Sequence, residues 1–216
     1  MSASWRVALV DSCGSWPKVR AACRFIRADE GVARTAPVED ASGHGTRLAG
    51  ILTSGRDDVE LVLAQVLDGT GRASADVVAA GIEWCLESGV DLLHLSLGLR
   101  ADRPSLAAAI RRAIDAGCLV VAAAPARGAL PFPAAYEGVI RGTGDARCEP
   151  GVISRLDERT FGGCVTAPQS KGGGASVGAA GVTATLIGAT GPCRTGEALA
   201  VLGRIARWQG RESRRP

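Results

Sequence analysis

Arg6-Val7-Ala8-Leu9-Val10-Asp11-Ser12 is a short apolar run that stops on a carboxylate. An unbroken run of this kind, rather than an alternating one, marks a strand covered on both faces. Leu61–Val66, Asp91–Leu95 and Leu119–Ala123 read the same way. Between these runs, Ala75–Ser88 and Ser105–Ala116 repeat apolar residues at helical spacing. Asp76, Val77 and Val78 open the first helix and Gly89 closes it, while Gly117 closes the second. Strand–helix–strand alternation predicts an α/β fold: a doubly wound parallel sheet with right-handed crossovers and helices on both faces. Further strands are expected at Val139–Gly142 and around Cys164–Val165. A small-residue helix is expected over Ser176–Ile187, and a final amphipathic helix over Gly196–Trp208. A chain of 216 residues fits one domain spanning 1–216 and buries a core without metals or disulfides.

Composition narrows the function. Lys and Arg number 25 against 22 Asp and Glu, a formal charge of +3, with no basic stripe interleaved with aromatics. Nucleic acid is therefore not an expected partner. The Arg-rich end, Arg211, Arg214 and Arg215, reads as a solvated, frayed terminus. Seven Cys is an odd number and none lies in a Cys-x-x-Cys pair, so buried thiols in a reducing compartment are expected, without metal or cofactor. Met1-Ser2-Ala3-Ser4-Trp5-Arg6 lacks the features of a signal peptide, and no apolar run reaches membrane-spanning length. The expectation is a cytoplasmic protein without a membrane partner.

Sites in open parallel sheets form beyond the carboxyl ends of strands. Asp11 directly follows the first strand, and Leu95–Gly98 and Ala124–Arg127 follow two others, so these segments should converge on one edge. An Asp at a strand end is commonly a loop cap, but it can also orient an imidazole. His44 lies between Gly43 and Gly45, ahead of the helix-like Thr46–Leu52. Flanking glycines let a substrate backbone come close; the plainer alternative is a turn His. Ser176 follows Gly172, Gly173, Gly174 and Ala175 and heads the small-residue helix. It reads either as an N-cap or as a nucleophile beside unpaired helix N–H groups. His94, inside an apolar strand, reads as a core residue, and Cys13 as a packing residue.

Together, Val7-Ala8-Leu9-Val10-Asp11-Ser12, Gly43-His44-Gly45-Thr46-Arg47-Leu48-Ala49-Gly50 and Gly174-Ala175-Ser176-Val177-Gly178-Ala179-Ala180-Gly181-Val182 resemble the aspartate, histidine and serine segments of the subtilisin-like serine proteases, the subtilases. The order Asp, His, Ser is the one that separates this group from other triad hydrolases. His94-Leu95-Ser96-Leu97-Gly98 resembles their substrate-binding strand, and Leu119–Ala124 the strand leading to the oxyanion loop. Phe132-Pro133 and Val165-Thr166-Ala167-Pro168 also have counterparts, so the resemblance runs from about Arg6 to Gly188.

The resemblance implies a subtilisin-like fold with Asp11, His44 and Ser176 as catalytic triad. It implies that Ser96, Leu97 and Gly98 pair with the substrate, and that Ala124, Pro125, Ala126 and Arg127 form the facing wall of the first specificity pocket. One departure matters. Family members place an oxyanion-hole Asn where this chain has Ala126, and the chain contains no Asn at all. Arg127 would be a substitute donor if it folded inward. The serine segment lacks the usual Thr before and Pro after the nucleophile, and the connection from Pro168 to Ser176 is short. The family's secretion signal and prodomain are not seen, which points to a compact intracellular member.

Such members resemble maturation proteases that remove a leader from one dedicated protein, such as the small subunit of quinohemoprotein amine dehydrogenase. The expected function is therefore a serine endopeptidase whose partner is a peptide or protein substrate. Two other readings stand beside it. One is a pseudoprotease that binds peptides, favoured by the missing Asn. The other is a nucleotide-binding α/β protein, opposed by the lack of a Gly-x-Gly-x-x-Gly turn or a phosphate-loop Gly-Lys-Ser/Thr.

Overall fold

Strand β1 (Trp5–Asp11) is central because both its edges are paired and both its faces are covered. A computed structural model describes residues 4–166 and 174–212. In it, β1 pairs in parallel with β4 (Val59–Gln65) on one edge and β5 (Leu92–Leu95) on the other. The remaining strands are β2 (Val19–Ala28), β3 (Gly31–Thr35), β6 (Leu119–Ala123), β7 (Ile140–Gly144), β8 (Ser154–Arg155), β9 (Thr160–Gly163) and β10 (Trp208–Gln209). They form one sheet in the order β10-β8-β9-β7-β6-β5-β1-β4-β2-β3. Pairing is parallel except at β2–β3 and β8–β9. The chain fills one side of β1 first, laying down β2 and β3 and then returning to insert β4 beside β1, and it crosses to the other side through β5. The strand order therefore reverses at β1, which opens a crevice at its carboxyl end.

Alternate residues of β1 feed two apolar layers. Ala8 and Val10 face helices α2 (Ala75–Glu87) and α3 (Pro104–Asp115), packing with Val78, Ile82, Ala109 and Ile110. Val7 and Leu9 face α1 (His44–Thr53), α4 (Ala175–Ala189) and α5 (Thr195–Ile205), with Leu48, Leu52, Leu186 and Leu202. The doubly wound parallel sheet with helices on both faces is thus as the alternation of elements predicts. Local signals set the helix ends. Ser74 caps α2 by accepting from the Val77 amide, and Pro104 opens α3 without wasting a donor.

Three elements differ from the sequence reading. The antiparallel pair β2–β3 has no apolar run: Arg20, Arg27 and Arg34 point to solvent and pair with Glu60, Asp76 and Glu87. The strand expected around Cys164–Val165 is β9, which ends at Gly163. The final helix stops at Ile205, and Trp208 belongs to β10. There the Arg207 and Gly210 amides bond to the carbonyls of Ile153 and Arg155, so sheet pairing replaces the helix. Ala167, Pro168, Gly172 and Gly173, singled out in the sequence, lie outside the described residues.

Helix α4 is apolar nearly all round, as a buried helix must be. It lies so close to the sheet that backbone meets backbone. A methyl group on Gly178 would collide with the Thr143 carbonyl, and one on Gly163 with the Gly178 carbonyl. Gly178→Ala should therefore destabilise the fold by about 1–3 kcal/mol through overpacking. Gly181→Ala, whose added carbon meets nothing nearer than the Cys164 amide at 3.9 Å, should be neutral or stabilising by up to about 1 kcal/mol. Urea denaturation of both variants checks this, and equal midpoints would contradict the packing account.

Candidate active site

Asp11 ends β1 and is fully buried. A buried carboxylate is costly unless it is bonded. Its Oδ1 accepts from the Ser12 amide at 2.8 Å and the Ser12 hydroxyl at 3.1 Å, and lies 2.7 Å from His44 Nδ1. Its Oδ2 is buried with no partner among the described residues. The carboxylate thus turns one oxygen toward the imidazole and fixes it as the Nδ1–H tautomer, leaving Nε2 free as a base.

His44 is the first residue of α1 and is one-third exposed. The two glycines beside it serve the backbone, and this differs from the role in substrate approach read from sequence. Gly43 takes a left-handed turn with φ 65°, which starts the helix at His44 rather than Thr46. Gly45 packs against Cys13 and Asp11; a methyl group there would stand 2.8 Å from Cys13 Cβ and 2.9 Å from Asp11 Oδ1. Its absence lets α1 sit close to β1. The hydrogen bond to Asp11 raises the His44 pKa above its ordinary 6.5, outweighing the burial that lowers it.

Two residues that hold this geometry were not marked in the sequence. Asp40 accepts from the Thr46 amide and hydroxyl at 2.8 Å each and from the Gly43 amide at 3.0 Å. It therefore caps the turn that presents His44. The Ser12 hydroxyl accepts from the Gly45 amide at 2.9 Å. Asp40 carried a legible signal, an Asp ahead of Ser42-Gly43 at a helix start.

Ser176 is the second residue of α4, half-buried, after the N-cap Gly174 with φ 143°. Gly174 holds the N-cap position and no side-chain hydrogen bond caps the helix among the described residues, so Ser176 is not its cap. Its amide lies in the first turn, where helix N–H groups lack intrahelical partners. Helices α1 and α4 pack together, and α1 begins beside Asp11 at the carboxyl end of β1 while α4 begins beside Gly144 at the carboxyl end of β7, so both helix N-termini lie at the same edge of the sheet. Asp11 and His44 are joined directly. Among the described residues no hydrogen bond joins Ser176 to His44. Catalytic contacts are often long before substrate binds and tighten in the complex.

The other sequence-marked residues divide between two clefts. Ser96, Leu97 and Gly98 line a cavity of about 560 Å³ with Ser42, His44 and Arg72. The Leu97 and Gly98 backbone makes no loop hydrogen bond among the described residues, until Leu99 pairs with Phe132. Pro131 closes against Gly98, at 2.8 Å from where a Cβ would stand. Ala124 donates its amide to Gly142, and Pro125, Ala126 and Arg127 are exposed beyond it. Ala126 and Arg127 line a separate cleft of about 180 Å³ with Gly144, Asp145, Arg211 and Glu212.

His94 is fully buried on β5, with Nδ1 3.0 Å from Thr183 Oγ1, while Thr183 donates to the Ala179 carbonyl. His94 is therefore the donor, tying β5 to α4. Burial, helped by the nearby His44, drops its pKa to about 3. All seven Cys are free thiols, and Cys13 is buried beside the Asp11 turn.

Comparison with known proteins agrees with this architecture. The profile of the Subtilase family matches residues 15–144, a span that includes His44 and β5 while Asp11 and Ser176 lie outside it. A thermostable alkaline protease of Halalkalibacterium halodurans is 32% identical over 149 residues, 62% of this chain and 40% of that protein. Subtilisin DY of Bacillus licheniformis is 33% identical over 116 residues, 47% of this chain and 42% of that one. The matched region thus spans well under half the length of these relatives. Sphericase has a similar fold, with a TM-score of 0.68 at 20% identity over 92% of this chain and 82% of that one.

The two imidazoles should titrate far apart. His44 is expected to show a pKa above 6.5, whereas His94 stays neutral throughout the physiological range. Asp11→Asn removes the charge and the charged acceptor, and should lower the His44 value. Imidazole NMR resonances followed against pH check this. Two imidazoles titrating near neutrality, or a His44 value unmoved in Asp11→Asn, would contradict the assignment.

Proposed function

The chain belongs to the subtilase family, and on that premise we propose that it is a serine endopeptidase with Asp11, His44 and Ser176 as its catalytic triad. The observation that carries the reading is the 2.7 Å contact of a fully buried Asp11 with His44 Nδ1, at a sheet edge that α4 shares. His44 Nε2 takes the Ser176 proton as Oγ attacks the scissile carbonyl. A C–Oγ bond forms and the carbonyl π pair moves onto oxygen. The Ser176 amide donates to that oxyanion. As it collapses, the C–N bond breaks and the imidazolium gives its proton to the leaving amine. Water repeats the sequence on the acyl-enzyme, with His44 again as base.

The backbone of Leu97 and Gly98, which makes no loop hydrogen bond among the described residues, supports strand addition by the substrate along Ser96–Gly98. The adjoining cavity has an apolar floor of Leu67, Val78, Leu97 and Leu99, with Arg72 among its lining residues. It accommodates a bulky apolar side chain on the acyl side of the cut, with an acidic neighbour. Ala124–Arg127, which follow β6 and border the neighbouring cleft rather than this cavity, form the facing wall of the first specificity pocket on the other side of the substrate strand.

The substrate is one dedicated partner protein, cleaved once to remove a leader. The leader of the small subunit of quinohemoprotein amine dehydrogenase fits this reading. The short sequence connection from Pro168 to Ser176 supports it, because few subsites leave binding energy to surfaces beyond the scissile bond. Seven free thiols support a reducing, cytoplasmic site of action.

Ser176→Ala should fold normally and abolish cleavage of a co-expressed partner, read by mass spectrometry of its termini. The wild-type protein should cut that partner at one site and cut casein poorly. Processing undiminished in Ser176→Ala would remove Ser176 from the mechanism. Efficient, unselective casein digestion would overturn the dedicated-partner reading.

A further inference from the structure

The last described residues of the chain return to the loop that lacks its donor. Strand β10 pairs with β8 and is held by the Gly210 amide on the Arg155 carbonyl. Arg147 fastens the same segment: its guanidinium donates to the Gly210 carbonyl at 2.8 Å and lies 5.8 Å from the Trp208 ring centroid. Arg147 is itself fixed by the buried carboxylate of Asp145 at the end of β7. So anchored, the next residue extends over the loop after β6, and Arg211 Nη1 donates to the Ala126 carbonyl at 2.8 Å. Arg127 makes no side-chain hydrogen bond among the described residues.

The cleft that holds Arg211 adjoins the head of α4. It is lined by Ala126, Gly144 and Asp145. A Cβ on Gly144 would stand 3.2 Å from the carbonyl oxygen of Gly174, the N-cap of the helix that carries Ser176. Ala126 offers no side-chain donor, and a guanidinium bonded through one N–H keeps others to give. Asp145 does not compete for Arg211, because Arg147 and the Ser154 hydroxyl already occupy its oxygens.

We propose that Arg211 is a catalytic residue, supplying from the C-terminal segment the oxyanion donor that Ala126 cannot. The inference rests on the acyl-transfer reading of Ser176. In that step the C–Oγ bond forms, the carbonyl pair becomes an oxyanion and the Ser176 proton passes to His44. Arg211 then shares the new negative charge with the Ser176 amide. A cation placed there acts on the transition state more than on the neutral substrate, so its loss lowers kcat and leaves KM nearly unchanged.

The test is the rate at which a fluorophosphonate probe labels the full-length protein, since attack on phosphorus also builds charge on the phosphoryl oxygen. Hydrolysis of an activated ester supplies kcat and KM. Wild type is expected to label and Ser176→Ala not to label. Arg211→Ala is expected to label at least about tenfold more slowly, with an unchanged melting temperature. Arg211→Lys, or millimolar guanidinium chloride added to Arg211→Ala, should restore part of the rate. Labelling of Arg211→Ala at the wild-type rate, or a rise in KM with kcat intact, overturns the proposal while leaving the triad reading standing. Slow labelling that neither lysine nor guanidinium restores, with a melting temperature lowered by more than about 5 °C, makes Arg211 structural and also overturns it. A wild-type protein that does not label overturns the triad reading, and this proposal with it.

Discussion

How closely α4 can approach the sheet governs the rest of the structure. Gly142, Gly144 and Gly163 on the sheet side face Gly178 and Ala179 on the helix, with almost no side chain between the two backbones. A helix held by backbone contact has little room to slide, so the residue at its head is fixed relative to the carboxyl ends of β6 and β7. The same device operates at Gly45, where a bare Cα lets α1 settle against Asp11 and Cys13. Ser176 and His44 are thus placed by what their neighbours lack. Precision matters because an ångström of misplacement can cost about 100-fold in an acyl-transfer site.

Electrostatics complete what packing begins. Asp11 is dry, and the Ser12 and His44 donors converge on one of its oxygens, so the imidazole is bonded in one tautomer and its cation is favoured. The other imidazole, His94, is buried, kept neutral and used as a strut between β5 and α4. On the far side of the cleft the arginines are divided by their partners. Arg147 is spent on Asp145, whose pKa it pulls to about 2 with help from Ser154, although burial opposes this. Arg211 bonds to a neutral carbonyl and makes no ion pair among the described residues.

Much of this was legible in the sequence, for a physical reason. Strands covered on both faces must be apolar throughout, so β1, β4, β5 and β6 announced themselves, and α2 and α3 carried helical spacing. Strand β2 escaped notice because, although paired with both β4 and the edge strand β3, it is covered on only part of its surface and places ion-paired arginines at its exposed positions. Strand β9 was displaced in the reading because Gly162 and Gly163 look unlike a strand; they are small because Asp145, Ser154 and α4 press against them. Asp11 and His44 stood out by local context. Ser12 looks in sequence like an ordinary turn residue, and the helix-start signal at Asp40 does not by itself mark a residue that positions His44. Arg211 read as a frayed tail, since its partner Ala126 lies 85 residues away along the chain and no local pattern encodes that meeting.

The central claim is that one edge of the sheet assembles a working acyl-transfer site from Asp11, His44 and the head of α4. A crystal structure of the protein after reaction with a fluorophosphonate tests it most directly. The account predicts phosphorus bonded to Ser176 Oγ, the phosphoryl oxygen within hydrogen-bond reach of the Ser176 amide, and His44 Nε2 turned toward the adduct with Nδ1 still on Asp11. Phosphorus on another residue, or on Ser176 with the His44 imidazole turned away from it, would contradict the account.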